Sequence, residues 1–222
     1  MGAHNPSRVW ASLELAIAAL LIAAGLEGYL SFGATLWLLA IGAVLVWWRG
    51  PGWRDVGFHR PQSIVRTMLV GVGVGLGYQL LSLAVVEPSI ARLTGSALPD
   101  VSIFRAVIGD TRRLVFWLAA SWTTAAFAEE TVYRGWITSR LAELGRFSRR
   151  AWIVATAAAS IVFGTIHMYQ GLSGMIATGL TGLVLGCVYM ATGRNLWAAI
   201  VAHGVMDTSG FVMIFFGVYP GM

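Results

Sequence analysis

Apolar runs about 20 residues long follow one another through the whole chain. A helix of about 20 apolar residues is what crosses the hydrocarbon core of a bilayer. Only 11% of the 222 residues are charged, whereas soluble domains carry about 25%. The sequence therefore predicts an all-α protein, a single integral membrane domain over residues 1–222 that forms a polytopic bundle of about seven transmembrane helices, within a range of six to eight. The predicted spans are 9–30, 32–48, 64–86, 114–142, 151–170, 172–192 and 195–217.

The basic residues, all of them arginine, favour one orientation of this bundle. Most fall in alternate connections between the predicted spans, and loops rich in Lys and Arg stay in the cytoplasm. This pattern predicts a cytoplasmic N-terminus and an outer C-terminus, and the compact, all-Arg chain suits the plasma (inner) membrane of a bacterium. No basic segment is interleaved with exposed aromatics, so a nucleic-acid partner is not expected. The arginines on the predicted cytoplasmic side are Arg8, Arg49, Arg54, Arg60, Arg66, Arg140, Arg146, Arg149, Arg150 and Arg194.

Three charged residues interrupt the fourth apolar run. Glu129, Glu130 and Arg134 lie within the predicted span 114–142, where each charge costs about 2.5–3.5 kcal/mol on insertion scales. Glu130 and Arg134 are four residues apart with the acid first, the better order for an ion pair on a helix. Glu129 is offset from Glu130 by about 100° on an α-helix. We therefore expect Glu130 to pair with Arg134 as structural support, and Glu129 to face a cavity.

Three more polar residues stand in later apolar runs: His167, and His203 with Asp207 on one helix face. Polar groups on separate membrane helices are satisfied most economically when they meet in one wet cavity. A carboxylate and a histidine there can activate and orient a water, and a second histidine can donate to a carbonyl oxyanion. Hydrolysis of a peptide bond by glutamate-activated water follows as a hypothesis that needs no cofactor. Zinc binding by Glu129, His167 and His203 is the competing chemistry.

The depth of these residues sets a condition on the fourth helix. At 1.5 Å per residue, His167 lies about 25 Å along its span from Arg150, toward the outer side. Glu129 meets it only if the fourth helix continues past Arg134 to about Ala142. The sequence has no proline from 131 to 144, so we predict this long helix.

The ordered motifs Glu129-Glu130-x-x-x-Arg134, Phe163-x-x-x-His167 and His203-x-x-x-Asp207 resemble the three motifs of the CPBP (ABI) family, over about 114–210. That family consists of intramembrane proteases, among them the CAAX prenyl endopeptidases, and of proteins linked to bacteriocin self-immunity. The resemblance implies a glutamic-type intramembrane endopeptidase acting on a membrane-associated or lipid-modified protein or peptide, in contact with membrane lipid. It implies that Glu129 is the water-activating base and that His167, His203 and the Asp207 position line an oxyanion site. Prenyl endopeptidases carry Asn at that last position; an ionised Asp207 cannot donate to an oxyanion, so it would either orient and charge His203 or else be protonated.

Two rival functions remain open in the sequence. Gly171-Leu-Ser173-Gly174 resembles the nucleophile motif of rhomboid serine proteases, with His203 as base. Ser173, however, falls at the outer end of its span, whereas His203 lies about 13 Å above the cytoplasmic end of the next. The other rival is a non-catalytic membrane protein, with an immunity, scaffold or transport role, whose polar cluster packs helices or binds an ion.

Several glycines and two further glutamates are expected to have structural rather than catalytic roles. Gly71, Gly73, Gly75 and Gly77 are spaced for close helix approach, as is the Gly182 and Gly186 pair. Glu14 and Glu27 are expected near the two ends of the first span, where both reach water.

Overall fold

The computed structural model describes residues 6–31, 33–49 and 52–222. Helix makes up 81% of these described residues, and they contain no strand. A long helix is found at each of the seven predicted runs, although position 32, the predicted start of the second, lies outside the described residues. The helices are α1 (Pro6–Leu26), α2 (Ala34–Arg49), α3 (Ile64–Thr94), α4 (111–144), α5 (Arg149–Thr165), α6 (Gly171–Ala191) and α7 (Leu196–Phe215).

Four of the described helices are long and apolar enough to cross a membrane. They are α1, α3, α6 with the short turn before it, and α7, and α2 is a shorter apolar helix. The predicted class, an all-helical membrane protein, is confirmed. The count of seven crossings stays a prediction, because α2, α4 and α5 are not among these four helices.

Helix α3 ends at Thr94, eight residues beyond the predicted end at 86. Pro88 lies within this extension, and a proline ring clashes with the carbonyl four residues earlier in a regular α-helix. The turn Ser82–Val86 is instead wider, and the Glu87 amide donates to the Ser82 carbonyl five residues back. A π-type turn of this kind accommodates the proline within a continuous helix.

Helix α4 runs without a break from 111 to 144, as the depth argument requires. Its first turn is capped by Asp110, whose side chain accepts a hydrogen bond from the Arg113 amide. From Ser121 to Ile137 its backbone forms a π-helix of 17 residues, whose turns are wide like the one in α3. Glu129 therefore lies near the middle of a continuous helix, well before its end at residue 144.

Close packing of α3 on α7 depends on two of the four predicted glycines. A Cβ atom at Gly71 would lie 2.6 Å from the Val201 side chain, and one at Gly75 would lie 2.7 Å from the Ala202 carbonyl oxygen. Gly73 and Gly77 have nothing within 4 Å of the corresponding position. Only the face with Gly71 and Gly75 therefore brings the helices together. It contacts α7 at Ala202, the residue before His203.

A buried ion cluster joins α1, α2 and the end of α4, and it corrects the expectation for Glu14. That carboxylate is 2% exposed rather than hydrated. It accepts hydrogen bonds of 2.8 Å from Arg49, 2.8 Å from Arg140 and 2.7 Å from the Trp136 indole. Glu143 accepts from the same two arginines at 2.9 Å each. Glu14 is thus a buried charge satisfied by partners far away in sequence, which its position near a helix end did not reveal.

Candidate active site

The centre of the site is a carboxylate that accepts hydrogen bonds from side chains on two helices. Glu130 Oε1 accepts a hydrogen bond from Arg134 Nη1 at 2.8 Å, the pair expected from their spacing. The same oxygen lies 2.8 Å from Nδ1 of His203 on α7. A carboxylate only accepts, so Nδ1 carries the hydrogen and donates. Glu130 therefore fixes both α4 to α7 and the orientation of the His203 ring, a second role that sequence spacing missed.

Arg134 is held in place by packing as well as by charge. Its guanidinium lies over the Phe163 ring of α5, 4.3 Å from the ring centre. A Cβ atom at Gly182 would come 3.1 Å from both Arg134 Nη2 and the Phe163 ring. Gly182 thus leaves the space in which the arginine stacks on α5, and the pair Glu130–Arg134 is almost fully buried.

His203 has a carboxylate on each side of its ring. Nδ1 faces Glu130, and Nε2 lies 3.8 Å from Asp207 Oδ1. That second distance is too long for a hydrogen bond but short enough for attraction between charges. Nε2 is consequently held in place without a hydrogen bond to Asp207. If both ring nitrogens are protonated, the positive charge of the ring faces a carboxylate on each side.

His167 directly follows α5 and is oriented by that helix. Its Nδ1 lies 2.8 Å from the Phe163 carbonyl oxygen, so Nδ1 donates and the neutral ring keeps its lone pair on Nε2. The Phe163 ring packs against both histidines, with centres 4.8 Å from His167 and 6.1 Å from His203. One aromatic ring therefore helps to fix the positions of both imidazoles.

Glu129 is placed differently from its neighbour. It is partly buried, and no hydrogen bond or ion pair involving its side chain is found in the described part of the chain. It lies close enough to His203 and Asp207 for their charges to interact. No hydrogen bond joins Glu129 to His167 among these described residues, so their meeting at a water stays a prediction.

A cavity of about 150 Å³ brings together three of the predicted residues: His167, His203 and Asp207. It is also lined by Glu87 of α3, by Gln170 between α5 and α6, and by Tyr219 beyond α7. These elements meet at the end of the bundle opposite the Arg49–Glu143 cluster. Glu129 is not part of the cavity wall. Glu87 escaped sequence analysis because the third span was predicted to end just before it.

The two competing chemistries find less support in the geometry. Within residues 6–31, 33–49 and 52–222, no group of three His, Cys, Asp or Glu side chains is arranged to hold a metal ion. Ser173 is buried, and its hydroxyl donates to the Ala97 carbonyl. No contact between Ser173 and His203 is found among the described residues.

Fold and site together define a helical membrane protein with Glu, His and Asp side chains from several helices around a polar cavity. Residues 111–209 match the family model described as Type II CAAX prenyl endopeptidase Rce1-like. The match confirms the resemblance to the CPBP family, whose CAAX proteases are peptidases, over the segment that carries all three motifs. Neither a curated protein nor a solved structure matched the chain.

Proposed function

We propose that the protein is an intramembrane endopeptidase that hydrolyses a peptide bond of a membrane-associated or lipid-modified substrate by glutamate-activated water. The observation that carries this proposal is the fixed position of His203 between Glu130 and Asp207, on one cavity with His167 and within charge range of Glu129. The match to a CAAX-protease family supports the same class of reaction.

Each side chain has a role in this mechanism. Glu129, free of hydrogen bonds to other side chains in the described chain, takes a proton from a water, and the lone pair on His167 Nε2 orients that water. The water oxygen bonds to the substrate carbonyl carbon, and the charge moves to the carbonyl oxygen. Protonated His203 donates from Nε2 to this oxyanion, with Asp207 balancing its charge. The proton held by Glu129 then passes to the amide nitrogen as the C–N bond breaks.

Glu130 and Arg134 act in this proposal by positioning. The arginine neutralises Glu130, and Glu130 accepts the Nδ1 hydrogen of His203, which leaves Nε2 toward the cavity. We further propose a bacterial plasma-membrane location with a cytoplasmic N-terminus, from the distribution of arginines. The cavity then lies toward the outer end of the bundle.

A comparison of cells tests the proposal and looks for substrates. Membrane proteins are quantified in cells that produce the wild type or Glu129→Gln, with equal protein levels verified. We expect specific membrane proteins to remain uncleaved only with the Gln variant. Identical membrane proteomes, together with a folded variant, would favour the non-catalytic role. Retention of cleavage by purified protein after strong chelation would exclude the zinc mechanism, and loss of cleavage would revive it.

A further inference from the structure

Glu87 is a buried acid on the cavity that the proposed reaction does not use. It is 6% exposed, at the wide turn of α3, and it shares the cavity wall with both histidines. Ser82 Oγ donates to its Oε1 at 2.9 Å. Its Oε2 is buried and has no hydrogen-bond partner in the described chain. A buried carboxylate with one unsatisfied oxygen is costly unless a donor reaches it.

No positively charged side chain in the described part of the cavity wall pairs with the Glu87 carboxylate. The wall contains two acids, Glu87 and Asp207, and no arginine among the described residues, and the chain has no lysine. His203 is balanced by Glu130 and Asp207, and the Nδ1 hydrogen of His167 goes to a backbone carbonyl. The Glu87 side of the cavity is therefore short of positive charge.

The size of the cavity limits what can supply that charge. About 150 Å³ holds roughly five waters at about 30 Å³ each, and pockets for whole small ligands span about 300–1,000 Å³. A single extended side chain fits this space. Because the same cavity holds His167 and His203, an occupant there would belong to the residues that flank the bond being cut.

We propose that Glu87 is the base of a specificity subsite that receives a positively charged side chain, Lys or Arg, of the substrate. The ammonium or guanidinium donates to Glu87 Oε2, and its aliphatic part lies along the cavity. The proposal rests on the proposed peptidase function, because it names the residue class that this site selects.

Paired peptides test the subsite. Lipid-modified peptides in detergent micelles carry Lys or the uncharged norleucine at each position in turn, and cleavage is followed by mass spectrometry. We expect one position at which the Lys peptide has a kcat/KM at least about tenfold higher than the norleucine peptide. A close buried charge pair contributes an interaction energy of at least that size. In Glu87→Gln the ratio of kcat/KM for the Lys peptide to kcat/KM for the norleucine peptide should fall to near one. The norleucine peptide itself should be cleaved at the wild-type rate. Glu87→Asp, which keeps the charge, should retain part of the preference.

Thr178→Val serves as the matched control, because Thr178 lines the same cavity without a charge. It should keep the wild-type ratio. A Lys preference at no position, or one that survives in Glu87→Gln, would overturn the subsite.

Binding to the Glu129→Gln background separates the subsite from the chemistry. There the Lys peptide should still bind more tightly than the norleucine peptide, and adding Glu87→Gln should abolish the difference. Cleavage by Glu129→Gln would refute the proposed mechanism and leave this binding result intact. Equal binding of the two peptides would refute the subsite whatever the mechanism.

Discussion

Gly75→Ala is expected to destabilise the contact that positions the α7 half of the site. The new Cβ would lie 2.7 Å from the Ala202 carbonyl oxygen and 2.8 Å from Val205 Cβ. Neither atom is the flexible end of a long side chain, so α7 itself must move. Overpacking of this kind costs about 1–3 kcal/mol. Because Ala202 directly precedes His203, the displacement should also lower cleavage activity.

Gly73→Ala is the matched control, one half-turn away on the same helix. It gains the same helix propensity, and nothing lies within 4 Å of its Cβ position. The two variants should therefore differ by the clash alone, a gap of about 2–12 °C in Tm at roughly 2–4 °C per kcal/mol. Thermal unfolding of the purified variants in detergent, followed by tryptophan fluorescence, measures this gap. Equal Tm values for the two variants would refute the inferred α3–α7 packing.

Three further predictions concern the polar clusters. Ser173→Ala should keep wild-type cleavage in a peptidase assay, because the hydroxyl serves only a backbone carbonyl; lost activity would revive the serine mechanism. Arg134→Met should cost about 3–5 kcal/mol in a detergent unfolding assay by removing the arginine partner of buried Glu130, and adding Glu130→Gln should restore part of that stability but not activity. Burial opposes the ionised form of Glu143, but Arg49 and Arg140 outweigh it and hold its pKa below the ordinary 4.5. The Tm advantage of the wild type over Glu143→Gln should therefore be complete above about pH 4.5 and shrink as pH falls further; a gap that is constant with pH would contradict this.

The positions of the helices were predictable because apolar run length is a local property of the sequence. All seven long helices lie where such runs occur, and the continuation of α4 past Arg134 followed from the absence of a helix breaker. Helix α3 extends past the predicted span 64–86, because the apolar run ends at Val86 whereas a π-type turn lets the helix continue through Pro88. Whether a proline ends a helix depends on backbone hydrogen bonding around it, which residue identity does not determine.

The site was predictable only where partners share a helix. The Glu130–Arg134 pair is visible in the spacing of the two residues, whereas the hydrogen bond from His203 to Glu130 joins residues 73 positions apart. The burial of Glu14 likewise depends on Arg140, 126 positions away. Such contacts arise from the register between helices, and that register depends on packing details such as the two contacting glycines of α3.

The role of Glu129 as the base that activates water is tested most directly by the kcat/KM of purified Glu129→Gln on a lipid-modified peptide that the wild type cleaves. A positioned general base contributes about 10²–10⁴-fold to rate. We predict a loss of that size, with the Tm of the variant unchanged, because Glu129 makes no hydrogen bond to another side chain in the described chain. A Gln variant that retains the wild-type kcat/KM would contradict the mechanism.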